Sequence, residues 1–256
     1  MSNYKINWIV DECICDSPEK FQELQTYIKS IGDVLGKSTA NFNKLECCLA
    51  SLSTARNNGF YEGNYYKVSN YINYIHEWYL NSDCLFLPFG LLKKDIIKNQ
   101  IFEKFRYSDK LFIKSDSGFK LLTGFSIKKS EWNKELSFLN LSKDDMILIS
   151  SHKDIEEEYR FWVINNEIIT WSSYSWDGAE YDSHMPSYLY DTAKTIANQI
   201  KLNAFTLDLC LLKSSFRPFV VEINNIYTSG LYNCDYKKLI NCLREFEINN
   251  FLEQVS

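Results

Sequence analysis

Asp208, Glu222 and Asn224 are the residues whose types and spacing first suggest chemistry. They lie in Phe205-Thr-Leu-Asp-Leu-Cys-Leu-Leu-Lys-Ser-Ser-Phe-Arg-Pro-Phe-Val-Val-Glu-Ile-Asn-Asn225, where two alternating runs flank a polar turn. Phe205, Leu207, Leu209 and Leu211 form one apolar row and Phe219, Val221 and Ile223 another, so the acids and the amide fall on the opposite faces of a hairpin. A turn centred on Ser215 sets Asp208 directly against Glu222. Opposed side chains have Cβ atoms roughly 5 Å apart, and two carboxylates there repel by on the order of 3 kcal/mol at an effective dielectric of about 20. An all-oxygen cluster of this kind suits Mg²⁺. The pattern leaves two alternatives open: one acid is solvated, or a register shifted by one residue separates the pair.

Cationic side chains occur on two other stretches. In Leu111-Phe-Ile-Lys114-Ser-Asp-Ser-Gly118-Phe-Lys120-Leu-Leu-Thr-Gly124, a Ser/Gly turn carries a lysine at each edge. Backbone amides of such turns approach phosphate closely and lysine adds a mobile point charge, although a plain hairpin with solvated lysines has the same pattern. In Glu156-Glu-Glu-Tyr-Arg160-Phe-Trp-Val-Ile-Asn165-Asn166, Glu158, Arg160 and Trp162 share one strand face, and Arg160 could equally pair with a neighbouring acid.

Together these stretches resemble the ATP-grasp superfamily, whose metal-binding strands end in Glu-x-Asn, and within it the viral and bacterial clade named for one arginine and two lysines. The resemblance covers roughly residues 84 to 232. It implies an α/β (α+β) ATP-grasp fold in which two α+β lobes grip the nucleotide, preceded by a small α/β domain: residues 1–88 for that domain and 89–256 for the module, with a small lobe over about 106–150 and a large lobe over about 151–256. It implies ATP and Mg²⁺, with two ions, as cofactors. Asp208, Glu222 and Asn224 would be the metal ligands. Lys114 and Lys120 would match the two lysines and hold the triphosphate, with Ser117 and Gly118 in the covering loop. Arg160 would stabilise charge on the transferred group, so Arg160 and Lys120 are the catalytic candidates. The adenine hinge falls at Ile149 to His152, bringing in Ser150 and Ser151. Among Glu156, Glu157 and Glu158 one would bind ribose, and Glu158 stands as the nucleotide candidate. The family's first strand often continues into proline where this chain has Ser115, and Ile226 to Tyr232 resembles the segment that closes the acceptor site.

The activity implied is that of a carboxylate-amine ligase working through an acylphosphate. Such a reaction requires no protein nucleophile, in keeping with the absence of a Ser/His/Asp or Cys/His motif from the sequence. Acceptors could be peptides, proteins or amino acids, and the clade's association with conflict between genetic elements favours a peptide or protein. Rival readings are a phosphotransferase using the same site and a nucleotide-binding interaction protein without turnover.

The elements that must position these residues follow in order. Ile6 to Cys15 is β-rich, Ser17 and Pro18 cap and start a helix to about Ser30 before Gly32, and 33–44 is loop with a weak strand. Leu45 to Leu52 is an apolar run of undecided type. Tyr65 to Tyr79 has helical spacing, Asp83 to Pro88 is a strand, and a helix runs from Gly90 to about Phe105. Trp132 to Leu141 is amphipathic, Met146 to Ser151 a strand, and Asn165-Asn166 a two-residue turn. A loop over Ser172 to Pro186, with Trp176 to Tyr181 and His184, precedes helices at Tyr188 to Ile200 and Asp235 to Phe251.

The 256 residues carry 45% hydrophobic and 16% aromatic side chains, enough for a sizeable core. A net charge of −5 provides no basic field for nucleic acid. Eight cysteines lack Cys-x-x-Cys spacing or a zinc-spaced histidine, which predicts reduced thiols in a cytoplasm. The polar-interrupted N-terminus is no signal peptide, and no apolar run reaches membrane-spanning length.

Overall fold

The computed structural model describes residues 4–36, 45–174 and 185–255. Its strands and helices fall in chain order as β1 Asn7–Val10, α1 Pro18–Ser30, β2 Val34–Leu35, β3 Glu46–Leu49, α2 Leu52–Asn57, α3 Val68–Ile75, β4 Leu85–Pro88, α4 Phe89–Leu92, α5 Asp95–Lys104, β5 Lys110–Ser115, β6 Phe125–Lys128, α6 Trp132–Phe138, β7 Met146–Ser151, β8 Ile155–Ile164, β9 Glu167–Tyr174, α7 Ser187–Ala197, β10 Ala204–Leu212, β11 Ser215–Asn224 and α8 Tyr236–Val255. Local chemistry accounts for several boundaries. The Ser17 hydroxyl accepts the Lys20 amide at 3.3 Å and Pro18 takes the first helical position. Gly32, at φ +87°, ends the same helix. The apolar run at 45–52 divides because Ser51 accepts the Thr54 amide at 3.2 Å and starts α2 directly after β3.

The chain forms two compact units, each assembled from separate stretches. One contains Met1–Glu62, Glu157–Cys210 and Glu222–Ser256; the other contains Gly63–Glu156 and Leu211–Val221. The reason is packing. Ile6 and Trp8 of β1 share a core with Trp162 and Ile164 of β8 and with Leu239, Ile240 and Leu243 of α8, so the first 62 residues have their apolar face against the C-terminal half. Asp33, wholly buried, ties this arrangement by accepting from the Ile6 amide, the Trp8 indole and Arg244 of α8.

In the first unit, β1, β2 and β3 make a three-stranded parallel sheet in the order β2-β1-β3. The order β11-β10-β8-β9 describes a second sheet, of which the hairpin tip Leu211–Val221 belongs to the second unit. β8 and β9 pair antiparallel across Asn165 and Asn166, whose φ values of +49° and +64° fit a two-residue hairpin turn.

The second unit is built on the antiparallel order β4-β7-β5-β6, packed on Phe89, Leu92, Ile101, Trp132 and Leu136 from α4, α5 and α6. Its hairpin tip is joined to the segment after α3 by Leu80 and Val220 backbone bonds, and Arg217 lies over the Trp78 ring at 5.1 Å.

All eight cysteines are free. Cys47, Cys48, Cys210 and Cys234 are buried, and burial pushes the Cys48 thiol up to about 12, so these side chains behave as small hydrophobes. No helix among the described residues is long and apolar enough to cross a membrane.

Candidate active site

The first unit brings together four of the predicted residues: Arg160, Asp208, Glu222 and Asn224. β8 and β10 are neighbours in the sheet, which lets Arg160 donate through Nε to Asp208 Oδ1 and through Nη2 to Asp208 Oδ2, both at 2.8 Å. The Asp208 side chain is fully buried and that of Arg160 is 8% exposed. Such a bidentate pair is geometrically specific and strong. Arg160 therefore meets a neighbouring acid in this structure, and its remaining nitrogen, Nη1, lies 3.5 Å from the Gly230 carbonyl.

The hairpin forms, but its turn occupies Lys213 and Ser214. The turn therefore precedes the Ser215 centre expected from the sequence. What the geometry brings to Asp208 is Asn224, whose Nδ2 donates to Asp208 Oδ2 at 3.0 Å and to Glu222 Oε1 at 2.9 Å. The two carboxylates thus converge on one donor, the kind of position a cation favours. Turning the Asn224 amide over would present Oδ1 there, completing an all-oxygen set that fits Mg²⁺. Among the described residues no group of three His, Cys, Asp or Glu side chains is placed to hold a metal, so an ion at this position relies on the amide and on oxygens from outside the chain.

Glu158 is buried on the Arg160 face. Burial, and secondarily the Glu158 charge, push the Cys210 thiol up to about 12. Tyr61 was not legible as part of this cluster. Burial, and then the Glu222 carboxylate, raise its hydroxyl to about 12.

The second unit holds the lysine-bearing loop, and it is more constrained than a flexible turn. β5 and β6 pair only from Lys110↔Lys128 to Ile113↔Phe125, leaving nine residues between Ser115 and Phe125. Ser115 closes the neck: its amide and hydroxyl donate to the Leu122 carbonyl at 3.3 and 3.2 Å, and its hydroxyl accepts the Leu122 amide at 3.0 Å. A proline here, as the family often has, could not make the amide bond. Asp116 is buried and accepts the Ser69 amide at 3.2 Å, capping α3, which has no side-chain cap of its own.

Gly118 is required by packing. A Cβ on it would lie 1.6 Å from the Gly63 carbonyl oxygen. Ser117 Oγ accepts the Phe119 amide at 3.1 Å and its carbonyl accepts the Lys120 amide at 3.1 Å. Lys120 is exposed, at φ +49°, and Lys114 lies half-buried on β5.

At the predicted hinge the Ser150 hydroxyl donates to Asn81 Oδ1 at 2.8 Å and the Ser151 hydroxyl to Asp83 Oδ2 at 2.6 Å. Lys153 donates to Asp83 Oδ1 at 2.5 Å and to Asn81 at 3.3 Å. Burial opposes the charge on Asp83, yet the Lys153 and Ser151 hydrogen bonds hold its carboxyl below the usual range. Burial lowers Lys153, with Asp83 partly offsetting it. The backbone amides of Ser151 and His152 are also engaged, by Asp83 and the Lys110 carbonyl.

The structure does assemble one Ser/His/Asp chain, which the sequence reading lacked. Ser126 Oγ lies 2.7 Å from His152 Nδ1, and His152 Nε2 lies 3.1 Å from Asp154 Oδ1. The Asp154 side chain is 75% exposed, so water screens the pair and the arrangement reads as a surface network. His184 and Trp176 to Tyr181 lie outside the described residues.

Comparison with known proteins gives the family and the fold. The ATP-grasp domain of the clade named for one arginine and two lysines, in the second of its families, matches residues 91–242. The fold is similar to that of the D-cycloserine synthetase DcsG, with a TM-score of 0.63 at 10% identity over 94% of this chain and 99% of that one. It is also similar to the ATP-grasp ligase PsnB in complex with a minimal precursor, with 0.57 at 8% identity over 96% and 100% of the two chains. The D-alanyl-alanine synthetase A of Vibrio cholerae gives 0.55 at 11% identity over 96% of this chain and 76% of that one. No curated protein sequence matches. With a family match over more than half of its length, the chain belongs to the ATP-grasp domain family, in the second family of the one-arginine, two-lysine clade.

Proposed function

We propose that this ATP-grasp protein is an ATP- and Mg²⁺-dependent carboxylate-amine ligase. The observation that carries the reading is the convergence of Asp208, Glu222 and Asn224 beside a buried arginine. In the reaction, a substrate carboxylate oxygen attacks the γ-phosphorus of ATP, the bond to the β-phosphate breaks, and ADP leaves. An amine nitrogen then attacks the acyl carbon, the bond to the phosphate oxygen breaks, phosphate departs and the nitrogen loses a proton. The protein contributes placement and charge.

Asp208, Glu222 and Asn224 would hold Mg²⁺, two ions being the proposed number, and the metal would supply neutralisation of phosphate charge. Lys114 and Lys120 hold the triphosphate, with Ser117 and Gly118 shaping the loop that carries Lys120. Arg160 presents Nη1 to the transferred group. Glu158 is assigned to ribose, and the hinge near Ser150 and Ser151 to adenine. The hydroxyls of both serines and the amides of Ser151 and His152 are engaged within the chain, so this assignment rests on the family resemblance alone. A peptide or protein acceptor is the proposed substrate class; the structural neighbour PsnB is a ligase seen with a precursor peptide.

Glu222→Gln is the cleaner metal-site test, because Asp208 also neutralises a buried arginine. The variant should lose Mg²⁺-dependent ADP release while its thermal midpoint stays near that of the wild type. Retained turnover would remove Glu222 from the metal site.

A further inference from the structure

We infer that Tyr232 is a positioning residue for Arg160, which deepens the ligase reading and rests on it for its catalytic consequence. Tyr232 has φ +46°, a conformation rare for a bulky side chain and readily taken by Gly or Asn. A residue stays there only when its surroundings over-determine it, and such outliers concentrate at functional sites. The surroundings here come from three directions. Lys20, in the first turn of α1, donates to the Tyr232 carbonyl at 3.3 Å and to Asn233 Oδ1 at 2.7 Å. Ser172 and Thr170 of β9 accept the Asn233 and Asp235 amides at 3.2 and 2.9 Å. The Leu231 amide donates to the Ile14 carbonyl at 2.8 Å.

The strained backbone places the Tyr232 ring over the Arg160 guanidinium, 5.2 Å from Cζ to the ring centroid. With the ring on its face and the Nε and Nη2 edge on Asp208, the guanidinium is fixed in plane and in rotation. While the Asp208 pair stays closed, an anionic oxygen would approach the guanidinium at its Nη1–Nη2 end, beside the Gly230 carbonyl that Nη1 also meets at 3.5 Å.

The test compares Tyr232→Phe, which keeps the ring, with Tyr232→Asn, which keeps the backbone conformation and removes the ring. Two readouts separate this inference from the ligase reading. The first needs no activity: the Arg160 Nε–Hε resonance should be slow to exchange with water and shifted by the ring current, in the wild type and Phe protein alike, and should lose both properties in the Asn protein. The second is single-turnover ADP formation, which should fall roughly 2- to 30-fold in the Asn protein, the range of a cation–π contact, with nucleotide affinity unchanged and the Phe protein falling less. An Asn protein whose Arg160 resonance matches the wild type overturns the inference whatever its activity. A wild type that releases no ADP overturns the ligase reading and leaves the resonance comparison decisive for Tyr232. If the Asn protein does not fold, Lys20→Met, which frees the Tyr232 carbonyl, carries the same comparison.

Discussion

Arg160 closes two parallel hydrogen bonds of 2.8 Å on Asp208, so the arginine expected at the phosphate and the aspartate expected at the metal neutralise each other in this structure. Removing one partner leaves a buried charge. Arg160→Leu should therefore destabilise the protein by about 3–5 kcal/mol. Arg160→Leu with Asp208→Leu should recover much of that loss while remaining inactive. Urea unfolding of both variants checks the pair, and additive losses would contradict the coupling.

Gly118 abuts the Gly63 backbone. Gly118→Ala cannot be relieved by a side-chain rotation, since the clash is with a carbonyl oxygen and its carbon. The overpacking should cost about 1–3 kcal/mol and displace the loop that carries Lys120. Nucleotide affinity, measured by calorimetry, should drop more for this variant than for Gly124→Ala, where the nearest atom is the end of the Phe112 ring.

Asp116 anchors the same loop by capping α3 through the Ser69 amide. Asp116→Ala should remove about 1 kcal/mol, the worth of a capping carboxylate, and raise the KM for ATP with a smaller effect on kcat. Equal changes in both would indicate that the cap is structural only.

Glu247 supplies a pH dependence. Burial raises its carboxyl to about 7, although the Tyr227 hydroxyl donates to it and works in the other direction. An acid with a raised folded pKa binds more protons when folded, so stability is lost as pH rises from the ordinary range, about 4.3, through about 7. The loss is on the order of 3 kcal/mol. Unfolding midpoints should be higher at about pH 5 than at about pH 8, and Glu247→Gln should flatten the difference.

Local features were legible in the sequence and long-range pairings were not. Ser17 and Pro18 announced α1, Asn165-Asn166 announced a hairpin turn, and Met146 to Ser151 is β7 as expected, because caps, positive-φ residues and apolar runs act within a few positions. The Asp208 hairpin was also visible, but its centre was not: Lys213 and Ser214 make the turn as readily as residues around Ser215. Nothing local announces that Arg160 pairs with Asp208, 48 positions away, or that Gly118 needs the bare backbone of Gly63. Nor does anything local announce that Trp8 and Trp162 share one core.

The most direct test of the central claim is mass spectrometry of reactions containing the protein, ATP, Mg²⁺ and a library of acids, peptides and amines, with the carboxylates labelled in oxygen. Ligation through an acylphosphate predicts ADP, a product with the mass of acid plus amine less water, and one labelled carboxylate oxygen recovered in the released phosphate. A stable phosphorylated product with no amide, or an amide formed without label in the phosphate, would contradict it.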